Sequence, residues 1–202
     1  MKPIPRAWRW AALLWLAVWI PAYAATWGWN NFLAFCDVAV FLTCAGLWTG
    51  SALLLSSQAL AAIPAGLLWA ADVAARLATG RHLFGGTEYM WDHRVPLLVR
   101  LLSLFHLFLP VVLVLALRRT GYHRRALLFQ VAVTAPLLVG ARLLAAGKNL
   151  NFALVDPLLH RQWGPVPLHL LAMLVGTALV AFLPTHLLLA RLLPATSSPA
   201  RR

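Results

Sequence analysis

Six long apolar stretches dominate the chain, and short polar or basic segments separate them. A bilayer core is crossed by about 20 mostly apolar helical residues. The stretches run over Ala7–Ala25, Asn31–Trp48, Leu53–Ala75, Pro96–Leu117, Ala126–Ala146 and Leu168–Leu193. They predict an all-α, polytopic transmembrane helical bundle of about six helices. No Gly-rich linker or shift of composition divides them and no repeat of fixed period is visible, so residues 1–193 read as a single transmembrane domain. The Ser/Pro/Ala/Arg-rich segment 194–202 reads as a flexible tail.

Composition supports that pattern. Hydrophobic residues make up 62% of the 202 residues and charged residues 11%, with a mean hydropathy of +0.79. A soluble domain of this size carries about a quarter charged residues, so this chain cannot cover its own apolar surface. Lysine and arginine number 17 against 5 acidic residues. In a soluble protein that imbalance would suggest nucleic acid. Here the basic residues sit between apolar runs, as they do where they orient a membrane protein, and membrane lipids rather than nucleic acid are the expected partners. In a six-helix arrangement ten of the 17 fall on the side of the termini and the 118–125 loop, five on the other side, and Arg100 and Arg142 within spans. Both termini are therefore expected in the cytoplasm, in a multi-pass protein of the inner membrane. The first stretch also has the form of a secretory signal: Lys2, Arg6 and Arg9, then Ala11–Ile20, then Pro21-Ala22-Tyr23-Ala24 with a small-x-small site after Ala24. Cleavage there would leave five helices.

With this orientation all five acids fall on the outer half. Asp37 lies one or two turns into the second span and Asp72 near the outer end of the third, with Glu88, Asp92 and Asp156 in loops. Arg76, Arg100, Arg142, Asn149 and Asn151 lie at similar depth. Ionisable residues within a membrane face the protein interior and pair, because an isolated charge there costs about 2.5–3.5 kcal/mol on insertion scales. Asp72 and Arg76 are spaced i, i+4 and can pair on one helix face. Asp37 needs a cation from another helix, and Arg100 or Arg142 is at the right depth. Cys36 and Cys44 lie two turns apart on one helix, which forbids a disulfide between them. No metal-ligand spacing and no phosphate-cradling glycine loop is present, so neither metal nor cofactor is expected. A stripe of small residues, Cys36, Ala39, Thr43, Gly46 and Gly50, suits close helix packing. Pro110 frees the carbonyl of His106 four residues earlier.

Phe35-Cys36-Asp37, Leu102-Ser103-Leu104-Phe105-His106, Gly121-Tyr122, Asn149-Leu150-Asn151-Phe152 and Asp156-Pro157 form a series over about residues 30–157. The series resembles the YwaF-type bacterial integral membrane proteins and the related mammalian transmembrane acyltransferases that remodel ether phospholipids. The resemblance implies Cys36 as catalytic nucleophile and His106 as its base. It implies a lipid-like substrate undergoing acyl transfer or hydrolysis. Family members are longer, with at least seven helices, and their Asn-Tyr element is Asn151-Phe152 here. Asp37, Asp72, Arg100, Arg142, Asn149 and Asn151 are the polar residues expected to bind substrate. Two other readings stay open on the residues alone. In one, Asp37, Asp72, Arg100 and His106 relay protons or hold a small solute. In the other, the polar cluster only fixes helix packing in a non-catalytic assembly or scaffold protein.

Overall fold

The computed structural model describes residues 2–145 and 147–196. Its architecture is an all-helical bundle with no strand among the described residues. Six helical segments follow the six apolar stretches: α1 (Arg6–Trp27), α2 (Phe35–Thr49), α3 (Ala52–Thr79), α4 (Leu97–Thr120), α5 (Ala126–Leu144) and α6 (Val166–Leu192). All but α2 are long and apolar enough to cross a membrane. Ala146, the expected last residue of the fifth stretch, lies outside the described residues, as does 197–202 of the expected tail.

Each of the five long spans contains a proline: Pro21, Pro64, Pro110, Pro136 and Pro184. A mid-helix proline removes one backbone donor and crowds the carbonyl four residues earlier. Two spans adjust visibly. In α4 the helix tightens near Ser103, where Leu104, His106 and Leu107 donate to carbonyls three residues back, one turn ahead of Pro110. In α6 the turn Ala178–Phe182 widens to a π-helix just before Pro184.

Of the five long spans α3 is the most buried, and it packs against α2, α4 and α5. Small residues set its distance from α2: a side chain at Gly46 would meet Leu55 at 3.0 Å, so the small-residue stripe of α2 serves α3. An amide layer crosses the core beside it. Gln58 Nε2 donates to Gln130 Oε1 at 3.1 Å, and both residues are buried. Around this core, large apolar side chains such as Leu14, Phe108, Leu128, Leu171 and Val180 are exposed.

The two ends of the bundle differ. At one end the Lys2 amide donates to the Arg119 carbonyl, Tyr122 N–H donates to Pro194 O, and Thr196 N–H donates to Tyr122 O. The N-terminal segment at Lys2 therefore meets the α4–α5 end, and residues 194–196 of the expected flexible tail are bonded to it. At the other end the α1–α2 connection is tied to the loop between α5 and α6: Lys148 Nζ donates to Trp27 O, and Asn30 Nδ2 to Leu144 O.

Candidate functional site

Helix α1 ends at Gly28, which adopts φ +78 and turns the chain into the short 3-10 segment Trp29–Leu33. Only then does α2 begin, at Phe35. Cys36 and Asp37 thus stand in the first turn of α2 rather than one or two turns inside it. The residue that starts the helix comes from far along the chain. Asn151, at φ +56, accepts from Phe35 N–H through Oδ1 and donates from Nδ2 to Leu33 O, each at 2.8 Å. Asparagine tolerates this backbone region better than most residues. The Cys36 N–H belongs to the first-turn donors that a helix cannot satisfy internally, and it has no backbone acceptor among the described residues.

Asp37 is buried. Its Oδ2 accepts from Asn31 Nδ2 at 2.8 Å and its Oδ1 from the Cys36 thiol at 3.7 Å. The expected pairing of Asp37 with Arg100 or Arg142 does not occur, because both arginines are held by backbone carbonyls elsewhere. Arg100 donates to Met90 O, and Arg142 to Ala153 O and Leu154 O and to Gln162 Oε1. Lys148 is a cation close enough for its field to reach Asp37. Asp72 likewise does not pair with Arg76. Its Oδ1 accepts from the backbone of Leu83, Phe84 and Gly85, and its Oδ2 takes His82 and Thr87. That carboxylate folds the 80–87 loop back onto the end of α3, while Arg76 lies over the Trp91 ring. The ion pairs formed by acids among the described residues are His82–Asp72 and Arg94–Asp92. Asn149 closes its own loop, accepting from Leu154 and Val155 and donating to Val155 O.

A layer of hydroxyls and aromatic rings lies beside Cys36. Tyr23 of α1 and Ser103 of α4 share a 2.6 Å hydrogen bond in the core. Trp69 of α3 donates to Tyr89 OH at 2.9 Å. Both tyrosines lie within electrostatic range of Cys36 and Asp37. Burial pushes the Tyr89 phenol above its ordinary range, so it is a neutral donor. His106 stacks face to face on Trp69 with centroids 5.3 Å apart, and its Nδ1 lies 2.8 Å from Ser103 O. A carbonyl partner requires the proton on Nδ1, which leaves Nε2 as the basic nitrogen. Among the described residues the thiol of Cys36 bonds to Asp37 and makes no hydrogen bond to His106.

Below this layer an apolar groove of about 400 Å³ runs between α1, α2 and α4. Val40 and Phe105 close its upper end, and Trp8 and Leu47 lie toward the other. Cys44 and Thr43 line its wall. Val40 is one helical turn, about 6 Å, from Cys36. Trp19, fully buried, packs on Tyr23, Phe32, Phe41 and Phe105.

Tyr23, Asn31, Trp69, Tyr89 and Lys148 contribute to this neighbourhood and were not among the residues expected from the sequence. Their only signal is polarity beside or within apolar stretches, which Gln58 and Gln130 share. Comparison with family models, curated proteins and solved structures found no match.

Proposed function

We propose that the protein is a multi-pass inner-membrane protein whose start of α2 handles the acyl group of a lipid-like substrate. One observation carries the reading: Cys36 stands at a helix start with no backbone acceptor for its own N–H among the described residues, its thiol on Asp37, one turn above an apolar groove sized for part of an alkyl chain. The chemistry follows from these contacts. The Cys36 proton passes to Asp37 Oδ1, and the thiolate attacks the ester carbonyl carbon. The oxyanion that forms accepts from the Cys36 N–H. As the C–O bond breaks, the lysolipid alcohol takes up the proton and leaves an acyl thioester on Cys36. A second alcohol or water then attacks the thioester, regenerates the thiol and completes transfer or hydrolysis. This assigns to Asp37 the proton-accepting role that the family resemblance gives to His106. His106 remains a second base through Nε2.

The test is trapping. Incubation with a phospholipid carrying a labelled acyl chain should place hydroxylamine-sensitive label on the wild-type chain and on Cys44→Ser, and none on Cys36→Ser. Absence of label on a folded wild-type chain, or equal label at both cysteines, would remove the acyl-transfer reading. The scaffold reading, in which the polar layer only holds helices together, would then stand. It is favoured by the mutual pairing of Tyr23 with Ser103 and of Asp37 with Asn31. Sidedness has its own test: a cysteine at Arg124 should resist an impermeant thiol reagent in intact cells.

A further inference from the structure

At the end of the bundle where Lys2 and Thr196 meet the α4–α5 loop, a cavity of about 960 Å³ opens between the N-terminal segment, the α2–α3 turn and that loop. Lys2, Arg9, His123 and Arg125 line it together with Thr49 and Ser51. The five acids all lie toward the opposite end, in or beside the start of α2 and the 80–95 and 150–165 loops. Among the described residues Lys2, Arg9 and Arg125 therefore have no carboxylate to neutralise them. Arg9 has a buried Nε with no acceptor among the described residues, and a buried guanidinium donor left unpaired is costly. The 28-residue α3 starts at the cavity wall. Ser51 Oγ takes the Leu54 amide, while the N–H groups of Ala52 and Leu53 have no acceptor among the described residues. Open first-turn amides and the helix dipole favour an anion.

We propose that this cavity binds the phosphate group of an anionic phospholipid from the adjoining leaflet. Arg9 and Arg125 carry the charge-assisted hydrogen bonds, and the α3 N-terminus supplies backbone donors. The site is separate from Cys36, at the other end of the bundle, and does not depend on any reaction there. A phosphodiester next to an acyl region suits its position: Trp8, which stacks under Arg119, borders both this basic end and the apolar groove. A soluble phosphate ester would satisfy the same donors without the membrane.

The full chain in phosphatidylcholine nanodiscs containing a minor fraction of phosphatidylglycerol, released into the gas phase for native mass spectrometry, tests this. Phosphatidylglycerol should be retained over phosphatidylcholine. Arg9→Gln with Arg125→Gln should weaken retention by about tenfold or more, since charge-assisted hydrogen bonds to phosphate are lost. Arg9→Lys should keep most of it. Arg124→Gln with Arg191→Gln removes the same charge from residues outside the cavity wall and should change nothing. Competition by inorganic phosphate would support the phosphate site and mark a soluble ester as a source. Failure of inorganic phosphate to compete would support the lipid as the source. Equal retention of the two lipids by the unaltered chain would overturn the proposal, and that comparison needs no variant to fold. Equal loss in both double variants would also overturn it, by reducing the effect to surface charge.

Discussion

Gly66 sits at a close crossing of α3 and α4. A side chain placed there would lie 2.3 Å from the carbonyl oxygen of His106 and 2.8 Å from the Pro110 ring. Two effects of Gly66→Ala oppose each other. Alanine favours a helix over glycine by about 1 kcal/mol. Against this, a carbon–oxygen contact needs about 3.3 Å, so α4 must retreat by roughly 1 Å. The obstructing atoms belong to backbone and a proline ring and cannot rotate aside, which places the overpacking cost near or above the upper end of the usual range, about 3 kcal/mol. The net expectation is a loss of about 2 kcal/mol, with the Trp69–His106 stack displaced as α4 moves. Unfolding in mixed micelles titrated with denaturing detergent reads this directly. Gly176→Ala provides the contrast, because nothing lies within 4 Å of the added carbon. It should be neutral or stabilising by up to about 1 kcal/mol. A Gly66→Ala protein as stable as the wild type, alongside a well-behaved Gly176→Ala, would refute the close crossing of α3 and α4.

Three further outcomes are expected. Gln130→Leu should cost about 0.6–2 kcal/mol by unpairing Gln58 in an apolar layer, and the double change with Gln58→Leu should cost less than the two single changes added together; strict additivity in detergent unfolding would argue against the amide pair. Asn151→Ala leaves the Phe35 N–H and the Leu33 carbonyl unmatched and should destabilise by about 1–3 kcal/mol while speeding alkylation of Cys36; an unchanged alkylation rate would separate Asn151 from the start of α2. The amides of Leu159, Arg161 and Leu158 hold the Asp156 carboxyl at about 2, below its ordinary 3.8. A depressed carboxylate contributes stability that is complete above 3.8 and lost as pH falls through about 2. Protection of those amides from hydrogen exchange, taken relative to the intrinsic rate at each pH, should therefore fall between pH 4 and 2 in the wild type and show no such step in Asp156→Asn.

The helices were legible because span length is a property of composition alone. Twenty apolar residues have few options in a bilayer, and observed ends fall within a few residues of the expected ones. α2 departs at its start, since Asn31–Ala34 were read as helix and are 3-10 turn and cap. No local pattern could show that, because the residue that sets the boundary, Asn151, lies 116 positions from Phe35. The partners of Asp37 and Asp72 were illegible for a related reason. Depth and charge suggested arginine, but a buried carboxylate is also satisfied by neutral donors, and Asp72 found backbone amides a dozen residues away in a loop whose conformation the sequence does not reveal. Gln58 and Gln130 show the opposite case. Each interrupts an apolar stretch in the same way as Asp37, and weighing amides as heavily as charges would have placed both in the core.

Charge and connectivity divide this molecule in a way that bears on both proposals. At one end the acids mostly bind backbone amides: Asp72 the 83–85 amides, Asp156 the 158–161 amides, and Glu88 the Gly86 amide. Acids used in this way order loops, and the loop ordered by Asp156 and Asn149 is the one that carries Asn151 to α2. Cys36 therefore depends for its position on the loop between α5 and α6, through Asn151. At the other end the cations outnumber any internal partner, and Arg9 is left with a buried donor unmatched. An end that satisfies its own charges is built for internal geometry. An end that does not is open to an anion from outside, which is what the phosphate site proposed at Arg9 and Arg125 would supply.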